Sequence, residues 1–512
     1  MNLSAKLVRN SFFQFWTTIV LAGSGLILSV VLARGLGPGE YGSYTFLIWL
    51  IGLGSLAANF GLDSMSTKFV SEYKGAGDEP GVRAVLQIAQ RGRTLTVAIA
   101  ALALIPISMV LIGDSQDPAV RFYPLLISLG LVPYALHNAF RGALQGFQRF
   151  DYCAYVSLVA LSAKTLVAVV LVRLGYGILH LLVLEVFTWI LVAVLERLLL
   201  HRLVGGPHPK VAPSLSGEQK RTIARFAAVS MALLLMDFVL NQRSEIFFLK
   251  LYRSGEEVGY YNLAFLLPAQ SMALIPGVLG RVLMPAISEQ FGRRDTARVA
   301  AIYHNSARYL MMLAFPLAAG GIVMAKPLVI ALFGESYTDA VLPAQILFVA
   351  SCVTAISAAN TSVIYGTNHP LYFLTRGLLA VPAAIALAMI LIPRYGVVGA
   401  ALAHNVSSPF FLVTLWYTTT RLGLSWPYKD TIRIILACVV MAGGLMLLRT
   451  YLQAIELTPV IILLGAVLYL IQLPLLRILR KDDFALIARL WRHYRFVGWL
   501  GRSVRAFRTA RV

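Results

Sequence analysis

Lys164 stands in the middle of the apolar run "LVALSAKTLVAVV" at 158–170. An ammonium in such surroundings is unfavourable unless it is paired or hydrated. Two arrangements meet that need: a polar cavity in which the cation attracts an anion, or an ion pair, with Glu185 as the candidate partner. A second cluster occupies "MDFVLNQRSEIFF" at 236–248. Asp237, Asn241 and Glu245 recur every four residues there, so a continuous helix would gather them on one polar face. Such a stripe suits sugar hydroxyls or a protonatable site, since an apolar cavity raises a carboxyl's pKa. A helix–helix hydrogen-bond network is the plainer alternative. Arg243 points away from the stripe, and Arg376 lies early in a later apolar run. Asn59 and Asp63 are again four apart and suit gating better than binding. Gln14, His137, Asn138, His404 and Asn405 read as interhelical hydrogen bonds, and Glu196 with Arg197 as an interfacial pair.

The elements that hold these residues follow from composition. Apolar residues make up 58% of 512 and charged residues only 13%, with a mean hydropathy of +0.76. A soluble chain of this length needs more charge to cover its surface. The expected class is an all-α polytopic membrane protein. Apolar runs long enough to cross a bilayer occur at 11–33, 41–61, 94–112, 122–140, 152–172, 178–200, 223–248, 259–281, 309–333, 342–364, 371–393, 398–420, 431–451 and 458–477, about 14 in all. The first is too long for a signal-peptide core and is expected to be retained. Cys153, Cys352 and Cys438 are isolated within apolar runs, which argues against disulfides and metal ligation. No motif calls for a cofactor.

Net charge is +21, yet the basic residues sit between apolar runs and in the tail, so anionic lipid is the expected partner and nucleic acid is not. With the N-terminus in the cytoplasm, cytoplasmic segments carry about 31 Lys and Arg and the other side about seven. Both termini are therefore expected inside. The tail alternates Ile487, Leu490, Trp491, Tyr494 and Val497 with arginines, a spacing that gives one apolar and one cationic helical face for the inner leaflet. The Gly- and Pro-bearing stretch 201–221 reads as a linker.

A repeat organises the runs. "GEYGSYTF" at 39–46 returns as "EEVGYYNL" at 256–263, a shift of 217 that superposes Glu40 on Glu257, Gly42 on Gly259 and Tyr44 on Tyr261. The same shift places "SEYKGAGD" at 71–78 on "SEQFGRRD" at 288–295. Glu72 and Glu289 in that second pair are expected to hold the cytoplasmic mouth through salt bridges or helix-end contacts. The division is an N-lobe at 1–200, a linker at 201–222, a C-lobe at 223–420, two appended spans at 421–477 and a basic tail at 478–512. Parallel repeats of this kind form two lobes around a cavity exposed alternately to each side.

The stretches "LARGLGPGEYGSYTF" at 32–46, "NFGLDSMSTKFVSEYKG" at 59–75, "PAISEQFG" at 285–292 and "LIPRYGVVGAALAHNVS" at 391–407 resemble the polysaccharide-transporter branch of the multidrug/oligosaccharidyl-lipid/polysaccharide exporter superfamily. That superfamily also holds the multidrug/toxin-extrusion antiporters and the lipid II flippases. The resemblance implies two six-helix lobes plus two extra helices in a bacterial cytoplasmic membrane. It also implies a polyprenyl-diphosphate-linked oligosaccharide as cargo, for O-antigen, capsule or exopolysaccharide assembly, with polysaccharide polymerases as partners. On that reading Lys164 and Arg376 become phosphate contacts, and Asp237, Asn241, Arg243 and Glu245 line the cavity. The rivals are a drug/cation antiporter, for which Asp237 and Glu245 offer carboxylates, and a lipid II flippase. An enzyme acting on such lipids needs a long outer loop, whereas the outer links here are about ten residues. "GLGPG" at 35–39 lacks the strand that a dinucleotide site requires.

Overall fold

The computed structural model describes residues 3–113, 117–204, 215–274, 276–367, 369, 371–452, 454–480 and 483. Residues 484–512, which hold most of the basic tail, lie outside them, as do 205–214 of the linker and the side chain of Gln14. The described chain is helical throughout, with no strand among the described residues. The first half forms α1 (Leu3–Asn59), α2 (Leu62–Gly75), α3 (Glu79–Ile112), α4 (Tyr123–Gly146), α5 (Phe150–Arg173) and α6 (Ile178–Val204). The second forms α7 (Gly217–Asn241), α8 (Glu245–Tyr252), α9 (Gly255–Leu274), α10 (Pro276–Gly292), α11 (Thr296–Phe333), α12 (Val341–Gly366), α13 (Leu371–His404) and α14 (Ser407–Thr420). α15 (Tyr428–Tyr451) and α16 (Thr458–Leu475) follow and pack on α11, where the Tyr469 hydroxyl donates to the Met312 carbonyl at 2.8 Å.

Among the described residues, 11 helical runs are long and apolar enough to cross a membrane, rather than the expected 14. Two of them, Ala22–Asn59 and Leu371–Thr420, each span a pair of the expected crossings. Their turns survive as single breaks, at Gly37 (φ +74°) and Gly396 (φ +56°), with helix on both sides. Side chains such as Leu102, Val110, Leu378 and Leu447 stand exposed around the bundle, as an apolar solvent demands.

The 217-residue repeat has a physical cause at one end of the bundle. Asp78 accepts from the Gly81 amide at 2.8 Å and starts α3; Asp295 accepts from the Arg298 amide at 2.9 Å and starts α11. The turns before them match residue for residue. Gly77 and Arg294 both take positive φ, and the amides of Asp78 and Asp295 reach back to the carbonyls of Tyr73 and Gln290. The repeated Asp is thus a helix N-cap following a left-handed turn. We call this the basic end.

At the opposite end the repeats meet face to face. The second half of α1 packs along α9, the most extensive junction between the two halves. A methyl group on Gly42 would overlap the Gly255 carbonyl, and one on Gly259 would sit 2.5 Å from the Pro38 carbonyl oxygen. Glycine is required at both positions for the backbones to touch. One turn further, Asn262 donates to Thr45, its own repeat equivalent, at 3.3 Å. Equivalent residues in contact mark a local two-fold axis.

Candidate functional site

The seam beside that axis holds two buried carboxylates, one in each lobe. In the N-lobe the Lys164 ammonium, on α5, lies 2.5 Å from Glu185 on α6. Glu185 also accepts from Trp189 at 2.7 Å and from the Tyr44 hydroxyl at 3.2 Å. In the C-lobe the Tyr261 hydroxyl donates to Glu245 at 2.9 Å, and His404 lies 3.2 Å away on α13. Tyr44 and Tyr261 are repeat equivalents, so each lobe directs the same tyrosine into a buried acid. The basic partner differs: a lysine ammonium in the first lobe, a histidine imidazole in the second. Lys164 therefore spends its charge on Glu185, the ion pair weighed as its alternative.

The polar stripe of 237–245 does not form. The helix stops at Asn241 and restarts at Glu245, with Arg243 at φ +56° between them. Asp237 and Asn241 stay exposed at the end of α7, bonded to each other at 2.9 Å, while Glu245 turns inward and is buried. A broken helix frees backbone groups that must find partners. Trp49 of the other lobe supplies one, its indole N–H donating to the Gln242 carbonyl at 3.1 Å. Arg243 points across the break, bonding Asn262 and lying over the Phe265 ring. Asn262 in turn donates to Tyr41 at 2.6 Å, so the break is tied across the lobe interface. Arg376, on α13, bonds Thr414 at 3.3 Å within a group of rings, Tyr365 and Phe373 stacked at 4.7 Å and Tyr372 and Tyr417 at 4.4 Å.

The basic end holds the expected gating residues. Asn59 and Asp63 straddle the break between α1 and α2 and bond at 2.7 Å, and the buried Arg93 pairs with Asp63. Arg93 is invisible as a site residue in the sequence, where it looks like one of many surface cations. Glu72 is exposed and makes no ion pair among the described residues. Among the described residues Glu289 pairs only with Arg293, just past the end of α10, at 2.7 Å and well exposed. Neither glutamate touches the opposite lobe through these bonds; the repeated aspartate explains their motif better. Glu196 is not interfacial. It is fully buried and lies 2.8 Å from His137. Asn138 donates to Ser55 at 3.2 Å, and Asn405 accepts from Ser408.

Two arginines also close helix ends. Arg34 donates to the carbonyls of Leu332 and Ala331 at 2.8 and 2.5 Å, and Arg253 to those of Ile392 and Pro393 at 3.2 and 2.9 Å. Each cation meets the negative end of a helix. Among the described residues no cluster of three or more His, Cys, Asp or Glu is placed to hold a metal ion. The arrangement offers paired charges, broken helices and a two-fold seam.

Comparison with known proteins agrees in kind. The family described as "Polysaccharide biosynthesis protein" matches residues 31–342, and that described as "Lipid II flippase MurJ" matches 254–468. The chain is 22% identical to the probable low-salt glycan biosynthesis flippase Agl15 of Haloferax volcanii, over 87% of this chain and 90% of the relative. It is 23% identical to the lipopolysaccharide biosynthesis protein WzxC of Escherichia coli, over 70% and 69%. Among solved structures, lipid II flippase MurJ in an inward closed conformation superposes with a TM-score of 0.72 at 14% identity, covering 91% of this chain and 98% of that one. An inward-facing multidrug resistance transporter of the MATE family gives 0.63 at 15% identity, covering 78% and 94%.

Proposed function

Because the chain belongs to the polysaccharide biosynthesis protein family, we propose that it carries a polyprenyl-diphosphate-linked oligosaccharide from the inner to the outer leaflet of the cytoplasmic membrane by alternating access. The observation that supports this most is the seam on the two-fold axis, where Gly42 meets Gly255 and Gly259 and Thr45 meets Asn262. Sugars and a diphosphate cannot cross hydrocarbon unsolvated. A seam sealed at one end by backbone contact, with broken helices and polar side chains beneath it, lets two rigid lobes rock without exposing the cargo to lipid. The basic end then faces the cytoplasm, and the basic tail rests on anionic lipid. The export product passes to polymerases on the far side.

The driving force need not be a coupled ion. Moving about two negative charges outward across an inside-negative membrane is favoured by roughly 4.6 kcal/mol per 100 mV. Flipping in proteoliposomes should therefore follow the imposed potential. Deletion of the gene should strand undecaprenyl-diphosphate oligosaccharide on the inner leaflet. Drug sensitivity without such accumulation would point instead to a cation antiporter.

A further inference from the structure

α2 has two faces with different chemistry. One packs near α4 and opens on a recess of about 460 Å³, lined by Asp63, Thr67, Lys68, Asn138, Arg141 and Gln145 among others. The other, through Leu62 and Met65, borders an apolar crevice of about 670 Å³ against Ile223, Ala227 and Met231 of α7. The crevice and the recess are separated only by the width of one helix.

The recess is electrically unbalanced. Its one carboxylate, Asp63, is already held by Arg93 and by the Asn59 amide. Arg141 and Lys68 have no carboxylate partner among the described residues; Lys68 only lies over the rings of Phe69 and Phe226, at 4.7 and 4.5 Å. Two positive charges are left uncompensated. Asn138, Arg141 and Gln145 share one face of α4, at spacings of three and four residues, and all three line the recess. The end of α4 brings carbonyl oxygens that would repel an anion. α2 caps two of them, the Thr67 hydroxyl donating to Gly142 at 3.0 Å and the Ser71 hydroxyl to Gly146 at 2.8 Å, and the amides of Phe147, Gln148 and Arg149 take those of Ala143, Gln145 and Leu144.

From these observations we infer that the recess between α2 and α4 docks the diphosphate of the lipid-linked cargo before it enters the seam, with Arg141 and Lys68 as its two cationic contacts. The inference rests on the flippase reading above. A dianionic head with a hydrocarbon tail matches the two faces of α2, whereas free diphosphate has no use for the crevice. Arg141 offers a planar fork to two phosphate oxygens, and Lys68 a point charge.

The test uses the purified full-length chain in phosphatidylcholine nanodiscs, with farnesyl diphosphate as the probe and inorganic pyrophosphate and phosphatidylglycerol as competitors. Arg141→Gln with Lys68→Gln should raise the Kd for farnesyl diphosphate roughly tenfold or more, and Arg141→Lys by less. Thermal melting confirms that the variants are folded. Undiminished farnesyl diphosphate binding in the folded double variant overturns the inference, as does equal competition by inorganic pyrophosphate or by phosphatidylglycerol. A parallel flipping assay with a fluorescent lipid-linked oligosaccharide separates the two readings. A wild-type chain that flips, beside a double variant that flips equally fast, removes the docking site and leaves the flippase. A wild-type chain that does not flip removes the flippase, while the farnesyl diphosphate result still decides the recess.

Discussion

Replacing Gly42 by alanine should open the seam. A Cβ at that position would lie 2.7 Å from the Gly259 amide nitrogen and 2.9 Å from the Gly255 carbonyl carbon, and would overlap the Gly255 oxygen outright. Ordinary contact begins at 3.4 Å, and every clashing atom is backbone, so no side chain can swing aside. α1 and α9 must separate by more than an ångström along a junction that also carries the Thr45–Asn262 and Tyr41–Asn262 bonds. Overpacking of this kind costs about 1–3 kcal/mol. Charged only to the conformation in which the helices touch, that cost shifts the balance toward the opened one by about 5- to 150-fold.

The assay is cysteine accessibility. Thr45 is only 8% exposed, so with Cys153, Cys352 and Cys438 replaced a Thr45→Cys reporter should label slowly with a membrane-impermeant maleimide. Gly42→Ala should accelerate labelling at least several-fold and slow flipping, and Gly259→Ala should do the same. Gly39→Ala is the control, because its Cβ meets only the Glu256 Cγ at 3.6 Å. Unchanged labelling in both seam variants, or an equal effect from Gly39→Ala, refutes the reasoning.

Three further outcomes follow from the bonds described above. Lys164→Met leaves Glu185 buried without its cation and should destabilise the protein by about 3–5 kcal/mol, while adding Glu185→Gln should restore most of the loss in a thermal-melting series. Phosphate binding by Lys164 predicts no such rescue. Asp78→Ala removes an N-cap and should cost about 0.5–2 kcal/mol, whereas Glu72→Ala, at an exposed site, should stay within about 0.5 kcal/mol; chemical denaturation ranks the two. The segment after α16 is held by Asp483, which accepts from Tyr309 at 2.5 Å and pairs with Arg308 at 2.6 Å. Burial pushes the Asp483 carboxyl up, but the Tyr309 hydroxyl, the Arg480 amide and the Arg308 guanidinium outweigh it and hold the group below its usual value. A lowered carboxyl pKa means that the docking is complete above about pH 4, the value for a free side chain, and is lost as pH falls through the lowered one. Trypsin cleavage at Arg477 and Arg480 should therefore rise sharply in Asp483→Asn at neutral pH, and equal cleavage of both proteins would remove this role.

Periodicity and repetition made much of this architecture legible. The apolar runs announced a membrane bundle, and the shift of 217 residues found the paired lobes through Gly42 and Gly259, which now prove to touch. What periodicity could not reveal was where a helix stops inside an apolar run. "VLNQRSEIFF" carries no glycine or proline, so a continuous stripe was the natural expectation. The break at Gln242–Ser244 depends on Trp49 and Asn262, partners some 190 and 20 residues away. Glu196 failed for a related reason: its run ends in charges that mimic an interface, and only the fold brings His137 against it. Thr45 and Asn262 occupy equivalent positions yet differ in type, so a comparison of residue identities passes over them.

The same geometry explains why the repeats diverged where they did. On a two-fold axis, any residue faces its own equivalent, so a side chain placed there must be compatible with itself. Glycine satisfies that condition by having none, and it stands in both copies at 42 and 259. A hydrogen bond across the axis is better served by a hydroxyl facing an amide, and Thr45 and Asn262 differ accordingly. Away from the axis the constraint lapses. Tyr44 and Tyr261 remain alike, but the acids they reach come from different elements, α6 in one lobe and α8 in the other, and their basic partners are Lys164 and His404. Glycine is thus kept in both copies where the backbones touch. Difference accumulates beside that contact, in the basic partner that each buried acid takes.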